Sequence, residues 1–502
     1  MKALEFIKKE DELGEKLEEI RVEKDLIGEL ELPKEILWGI HTQRALMNFS
    51  VTPYRPNPYL IRAMAVIKKV AAEVNEELGY LDAEKAYYIK EAASELSLGK
   101  YIDAVVVDPL QGGAGTSFNM NVNEVIANLA LKRAGRNPGD YDYISPLEHV
   151  NMHQSTNDVF PTAVKIATLW LLKELEDSVV RLLEAFQKKE KEFADIVKVA
   201  RTHLQDAVLI TLGREFSIYA DSLARDRWRI FKASERIRVV NIGGTAVGTG
   251  IGAPRRYIFK IIEKLRQETG LNLARAENLI EATANQDGIV EVSGIIKTLA
   301  ANLIKIANDL RFLASGPDAG INEIKLPAVQ AGSSIMPGKV NPVIPEMVMQ
   351  ASWLFIAYDS LITTAASNGN LEVNNFMPLI AFALLDGIMI LRNAVERFAT
   401  RCVEDIKPNV EVCRRHVAAS TASLTALLPV LGYEKATEVA KYAQEKGISV
   451  KEAVLEIGGI SKEEFNRLTS PELVCKLGFT KQEMEKIKAL NGHKKNSVGV
   501  DQ

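Results

Sequence analysis

The chain has 502 residues, 47% hydrophobic and 25% charged, with a formal net charge of −4. That balance suits a globular protein of roughly two to four domains, and it argues against nucleic acid or an anionic membrane as the main partner. The three cysteines and six histidines form no metal-ligand spacing, so no metal site is expected and a reducing cytosol fits.

In chain order, the N-terminal MKALEFIKKEDELGEKLEE is mixed in charge and helical in propensity, and it lacks the apolar core of a signal peptide. Residues from 1 to about 55 read as charged and irregular. Helices are predicted over Pro58–Gly79 and Asp82–Gly99. A Gly-rich loop then feeds Thr116, Ser117 and Asn119 into the helix of QGGAGTSFNMNVNEVIANLALKRAG, a seat for a carboxylate or phosphate. Next, Ser155, Thr156, Asn157 and Asp158 precede Pro161, taken as the start of a long helix. Four capping residues exceed what one helix end needs, which points to ligand contacts. Along that helix Leu172, Leu175, Val179, Leu182 and Phe186 alternate three and four apart, a coiled-coil-like seam.

Thr202 and His203 fall in a polar break before a helix over Gly213–Val240. The glycines of NIGGTAVGTGIGAP suggest a dinucleotide loop, but a helix precedes them and no βαβ unit follows, so a helix-connecting turn is expected. Helices over Gly288–Ser315, Pro345 to about Ala366, and Pro378 to about Glu404 bring the long ones to five. That is a bundle pattern, and apolar residues on several faces, as in LIAFALLDGIMIL, call for a homo-oligomer. No uncharged apolar run reaches membrane-spanning length, and the expected location is the cytoplasm. From about Val410 the helices shorten into a small C-terminal domain, ending in a frayed tail, GHKKNSVGVDQ.

The most informative stretch is QAGSSIMPGKVNPVIPE, Gln330 to Glu346. Its small residues let backbone N–H groups approach a ligand, Lys339 adds a fixed charge, and the following helix points its positive dipole end at the same place. A serine held there ionises more readily than one in water.

GSSIMPGKVNP, with GAGTSFNMNVNEVIAN, QSTNDVFPTA and RTHLQDA in the same order, resembles the class II fumarase and aspartase superfamily over about Arg21 to Gly492. The resemblance implies an all-α, three-domain lyase, with an N-terminal domain over 1–157, a central long five-helix bundle over 158–410 and a small helical domain over 411–502. Such bundles pack into a twenty-helix core in a homotetramer. Ser117, the VIPE continuation and SPLE before HVN sit nearer the ammonia-lyases than the fumarases, which typically carry Gln, TQCE and HPND there. His153 and Ala200 depart from the usual Ser and Gly.

The implied reaction is reversible loss of ammonia from L-aspartate to give fumarate, with class II fumarase, acting on L-malate, as the alternative. By resemblance Ser333 is the general base on a mobile loop hinged at Gly332 and Gly338. Thr116, Ser155, Thr156 and Ser334 hold the β-carboxylate, while Lys339, Asn341 and Thr202 hold the α-carboxylate. Asn157 and catalytic His203 sit near the amino group. No cofactor is implied, and each site is shared between subunits.

Overall fold

The computed structural model describes residues 19–478 and 480–482. The helical propensity read at the extreme N-terminus falls mostly, and the tail GHKKNSVGVDQ wholly, outside them. The chain is mostly helical, with four two-stranded β pairs among the described residues. It divides into two compact units, one of residues 1–175, 229–297 and 354–390, the other of 176–228, 298–353 and 391–502.

The first unit opens with a hairpin, β1 (Ile20–Lys24) against β2 (Glu29–Pro33), then α1 (Ile40–Asn48). This corrects the irregular reading of the first 55 residues. Hydrophobic alternation misleads here because the polar side of β1 faces inward: Glu23 is buried while Ile20 and Val22 are exposed. Arg21 donates to the carbonyls of Lys34, Ile36 and Trp38, satisfying backbone that no strand pairs. Next come α2 (Pro58–Glu77), capped by Asn57, α3 (Ala83–Ser97) and α4 (Thr116–Arg133). Helix α2 packs on α3, α4 and α7 (Arg255–Thr269). Every residue of α4 from Phe118 to Leu131 is buried, which accounts for its weak amphipathic pattern.

Five long helices follow the prediction with shifted ends: α5 (Thr156–Glu192), α6 (Leu212–Ile237), α8 (Asp287–Leu313), α9 (Val343–Ser367) and α10 (Met377–Arg401). The seam of α5 is fully buried at Leu172, Leu175, Val179, Leu182 and Phe186. Helix α5 starts five residues before Pro161. A proline there has no N–H for the carbonyl of Asn157, and the side-chain amide of Asn241 donates to it instead at 2.9 Å. The segment Met377–Asp405 is long and apolar enough to cross a membrane, and 61% of its apolar window is buried, as in a core helix.

In the second unit the polar break before α6 is a hairpin, β3 (Val197–Thr202) and β4 (Gln205–Thr211), which corrects the purely helical reading. It packs on α11 (Val410–Ala419) and α12 (Ala422–Lys446), the latter kinked at Gly432. Leu427, Val439, Ala453, Val454 and Phe465 form the core beside it.

Candidate active site

Two helix N-termini meet in the first unit. Gly113, Ala114 and Gly115 all have positive φ and turn the chain into α4 at Thr116. A Cβ on Gly115 would lie 2.5 Å from the Phe160 ring, so only glycine lets the start of α4 rest on the first turns of α5. Thr116 donates its hydroxyl to the Gly113 carbonyl at 2.8 Å. At α5, Ser155 Oγ accepts from the N–H of Asn157 at 3.2 Å, and Asp158 accepts from the N–H of Ser155 at 3.0 Å. This reciprocal cap explains Ser155 and Asp158 structurally. Thr156 Oγ1 accepts from Asn119 at 3.0 Å, and Asn157 donates to the Ala246 carbonyl at 2.8 Å. Thr116, Ser155, Thr156 and Asn157 thus cluster where two positive dipole ends converge, an arrangement suited to a carboxylate.

A buried charge pair underlies this cluster. Asp158 has no exposed surface and accepts from the N–H groups of Gly243 and Thr245 at 3.1 and 3.0 Å. The glycine-rich loop between α6 and α7 therefore clamps the start of α5. Lys68, also without exposed surface, donates to the side-chain oxygens of Asn151 and Gln154, each at 2.9 Å. Burial pushes Asp158 up to about 7 and Lys68 down to about 7; backbone N–H donors and Lys68 pull Asp158 back, and Asp158 pulls Lys68 back.

The second unit carries the remaining predicted residues. Thr202 ends β3, and His203 and Leu204 form the hairpin tip, both with positive φ. A tight hairpin turn needs that backbone, and histidine tolerates it better than leucine. Below the tip, Arg201 forks onto Glu323 with two contacts of 3.0 Å, Lys198 reaches Glu323 at 3.0 Å and Glu215 at 2.7 Å, and His416 reaches Glu323 at 3.0 Å. Burial alone raises the Glu323 pKa, but Arg201, Lys198 and His416 outweigh it and hold the carboxyl below its usual range.

The Ser333 loop is pinched at its neck. A Cβ on Gly332 would lie 2.0 Å from the Lys339 carbonyl, and Asn341 donates to the Gly332 carbonyl at 2.5 Å. Gly338 has positive φ and open space around it. Gly332 is thus a close-approach glycine, while Gly338 suits a hinge. Ser333 Oγ accepts from the N–H groups of Ile335 and Met336 at 3.2 and 2.9 Å. Ser334 and Lys339 are exposed.

The residues of the first group are brought together; Thr202 and His203 share one turn, and Ser333, Ser334, Lys339 and Asn341 share one loop. Among the described residues no hydrogen bond joins that turn to that loop, and no group of three or more His, Cys, Asp or Glu is placed to hold a metal. Lys68, Asn151 and Glu323 were absent from the sequence-derived site, whereas Asn119 was named there in the seat after the Gly-rich loop. For Lys68 the one legible signal was a lysine within an otherwise apolar helical run.

A family model described as lyase matches residues 28–353, and one described as the fumarase C C-terminus matches residues 424–476. The chain is 46% identical over 453 residues to an aspartate ammonia-lyase of Bacillus sp, covering 90% of this chain and 97% of that one. The chain belongs to the fumarase and aspartase superfamily of lyases. Among solved structures, the fumarate lyase:delta crystallin of Brucella melitensis bound to cobalt aligns with a TM-score of 0.86 at 45% identity, over 90% of this chain and 99% of that one. The class II fumarase of Schistosoma mansoni aligns with a TM-score of 0.84 at 32% identity, over 92% and 100%. This superfamily lyase thus carries its helix-end cluster and its serine loop on a fold shared with both.

Proposed function

We propose that this lyase catalyses the reversible elimination of ammonia from L-aspartate to give fumarate. The observation that carries the reading is the 46% identity to an aspartate ammonia-lyase over nearly the full length of both chains. Ser117 and the VIPE continuation support it from the sequence.

The difficult step removes a proton from the carbon beside the β-carboxylate, because the dianionic carboxylate that results is unstable in water. Thr116, Ser155, Thr156 and Ser334 supply donors to that carboxylate, and Lys339, Asn341 and Thr202 hold the α-carboxylate. Asn157 and His203 stand near the amino group. Ser333 takes the proton; the two backbone N–H groups already on its oxygen are the donors that an alkoxide requires. Lys339 adds positive charge, and loop closure over the substrate excludes water.

The working enzyme is a cytoplasmic homotetramer whose five-helix bundles form a twenty-helix core, with domains over 1–157, 158–410 and 411–502. Large apolar side chains left exposed on the long helices, Trp228 and Phe231 on α6 and Trp353 and Leu361 on α9, support an assembly that covers them. Following fumarate absorbance with L-aspartate and then with L-malate tests the reaction. Faster turnover of L-aspartate is expected; a malate rate equal to or above it would assign the chain to the fumarases instead.

A further inference from the structure

We infer that Lys68 is a positioning residue of the proposed site, fixing through Asn151 and Asn119 the direction in which Thr156 offers its hydroxyl proton. The inference rests on the reading that Thr156 donates to a substrate carboxylate.

The argument follows donors and acceptors. Lys68 lies on α2 with no exposed surface, and its Nζ donates to the side-chain oxygens of Asn151 and Gln154. The side-chain oxygen of Asn151 faces Lys68, at 2.9 Å, and its amide nitrogen turns away to the Gln154 carbonyl at 3.2 Å. That same oxygen meets the side-chain amides of Asn119 at 3.3 Å and Asn123 at 3.2 Å. Facing an acceptor, Asn119 has to present its NH2 group. The second proton of that group goes to Thr156 Oγ1 at 3.0 Å.

A threonine hydroxyl has one proton and two lone pairs. With Asn119 donating to it, the proton of Thr156 is left over, and among the described residues it has no acceptor. It is then free for an anion. Reversing the Asn119 amide would consume that proton and leave only a lone pair facing a carboxylate. The side-chain oxygen of Asn119 is buried with no partner. A reversed amide would pair that oxygen with the Thr156 proton. The orientation set from Lys68 prevails over that satisfaction, so the polarity of the chain is imposed from below.

A double-mutant cycle on kcat/KM for L-aspartate tests the relay, using Lys68→Met, Thr156→Val and the pair. Lys68→Met is expected to lower kcat/KM roughly 10- to 100-fold, the scale of a hydrogen bond to a charged group. On top of Thr156→Val the same change should cost less than about twofold, the scatter of independent sites. Thr156→Ser, which keeps the hydroxyl, should restore full sensitivity. If Lys68→Met does not fold, Asn119→Ala breaks the last link and enters the same cycle. Equal losses in both backgrounds would overturn the relay alone. A Thr156→Val enzyme with unchanged activity would overturn the reading of Thr156 and the relay with it.

Discussion

A serine hydroxyl in water is a very poor base, so a role for Ser333 depends on what its loop does to the oxygen. Two backbone N–H groups already point at it, from Ile335 and Met336. Ser333→Ala is therefore expected to lower kcat by roughly 10² to 10⁴, the range for losing positioned proton transfer, with the fold retained by circular dichroism. Activity above about a third of wild type, set against that range, would remove Ser333 as the base. Ser333 stands out as a candidate in the sequence because GSSIMPGKVNP is a contiguous motif with its own loop chemistry. Ser155 was equally visible, yet one of its tasks is capping α5. Asn119 was visible only as part of the seat after the Gly-rich loop, and Lys68 was not legible as a site residue at all. A lysine in AVIKKVAA reads as a solvated position until the partners that bury it are known, and those come from a segment some 80 residues away.

The hairpin of β3 and β4 is, after that of β1 and β2, the second that sequence reading missed, and its construction explains why. Its turn uses His203 and Leu204 where Asn or Gly would have announced it. What holds this unlikely turn is the ion cluster at its base, where Glu323 has no exposed surface and faces Arg201, Lys198 and His416. Replacing the carboxylate by Glu323→Gln leaves buried Lys198 with Glu215 alone and removes the fork that holds Arg201, a loss of at most about 3–5 kcal/mol, the scale for removing one partner of a buried pair. The sign of the pH dependence follows from the lowered carboxyl pKa. The stabilisation is fully present above the unfolded value near 4.5 and is lost as pH falls through the lower folded value. Thermal melts should show the widest gap between wild type and Glu323→Gln at neutral pH, closing in acid. A gap independent of pH would show that the charge of Glu323 is not what holds the hairpin. The helices were easier to read, because their apolar period is set locally. Only their ends moved, as at Thr156, where Asn241 from a distant loop compensates for Pro161.

At the scale of the whole molecule, the proposed site has to gather residues from three separate stretches of the chain. Helix α5 has 37 residues, roughly 55 Å at 1.5 Å per residue. Thr156 opens it, and the hairpin bearing His203 begins five residues beyond its last turn. Ser333 precedes a different long helix, α9. Sharing among subunits, as proposed, makes a prediction that a self-contained site cannot meet. Thr156→Ala and Ser333→Ala chains are denatured together in equal amounts and refolded. A working site takes its Thr156 stretch from a Ser333→Ala chain and its Ser333 stretch from a Thr156→Ala chain. Random mixing makes that about ½ × ½, roughly one quarter of sites in a symmetric oligomer, while each variant refolded alone stays inactive. Recovery near a quarter of the wild-type rate, measured as fumarate formed from L-aspartate, is the expected result. No recovery, with wild-type chains refolding well in parallel, would put Thr156 and Ser333 in one subunit's site and overturn the shared assembly.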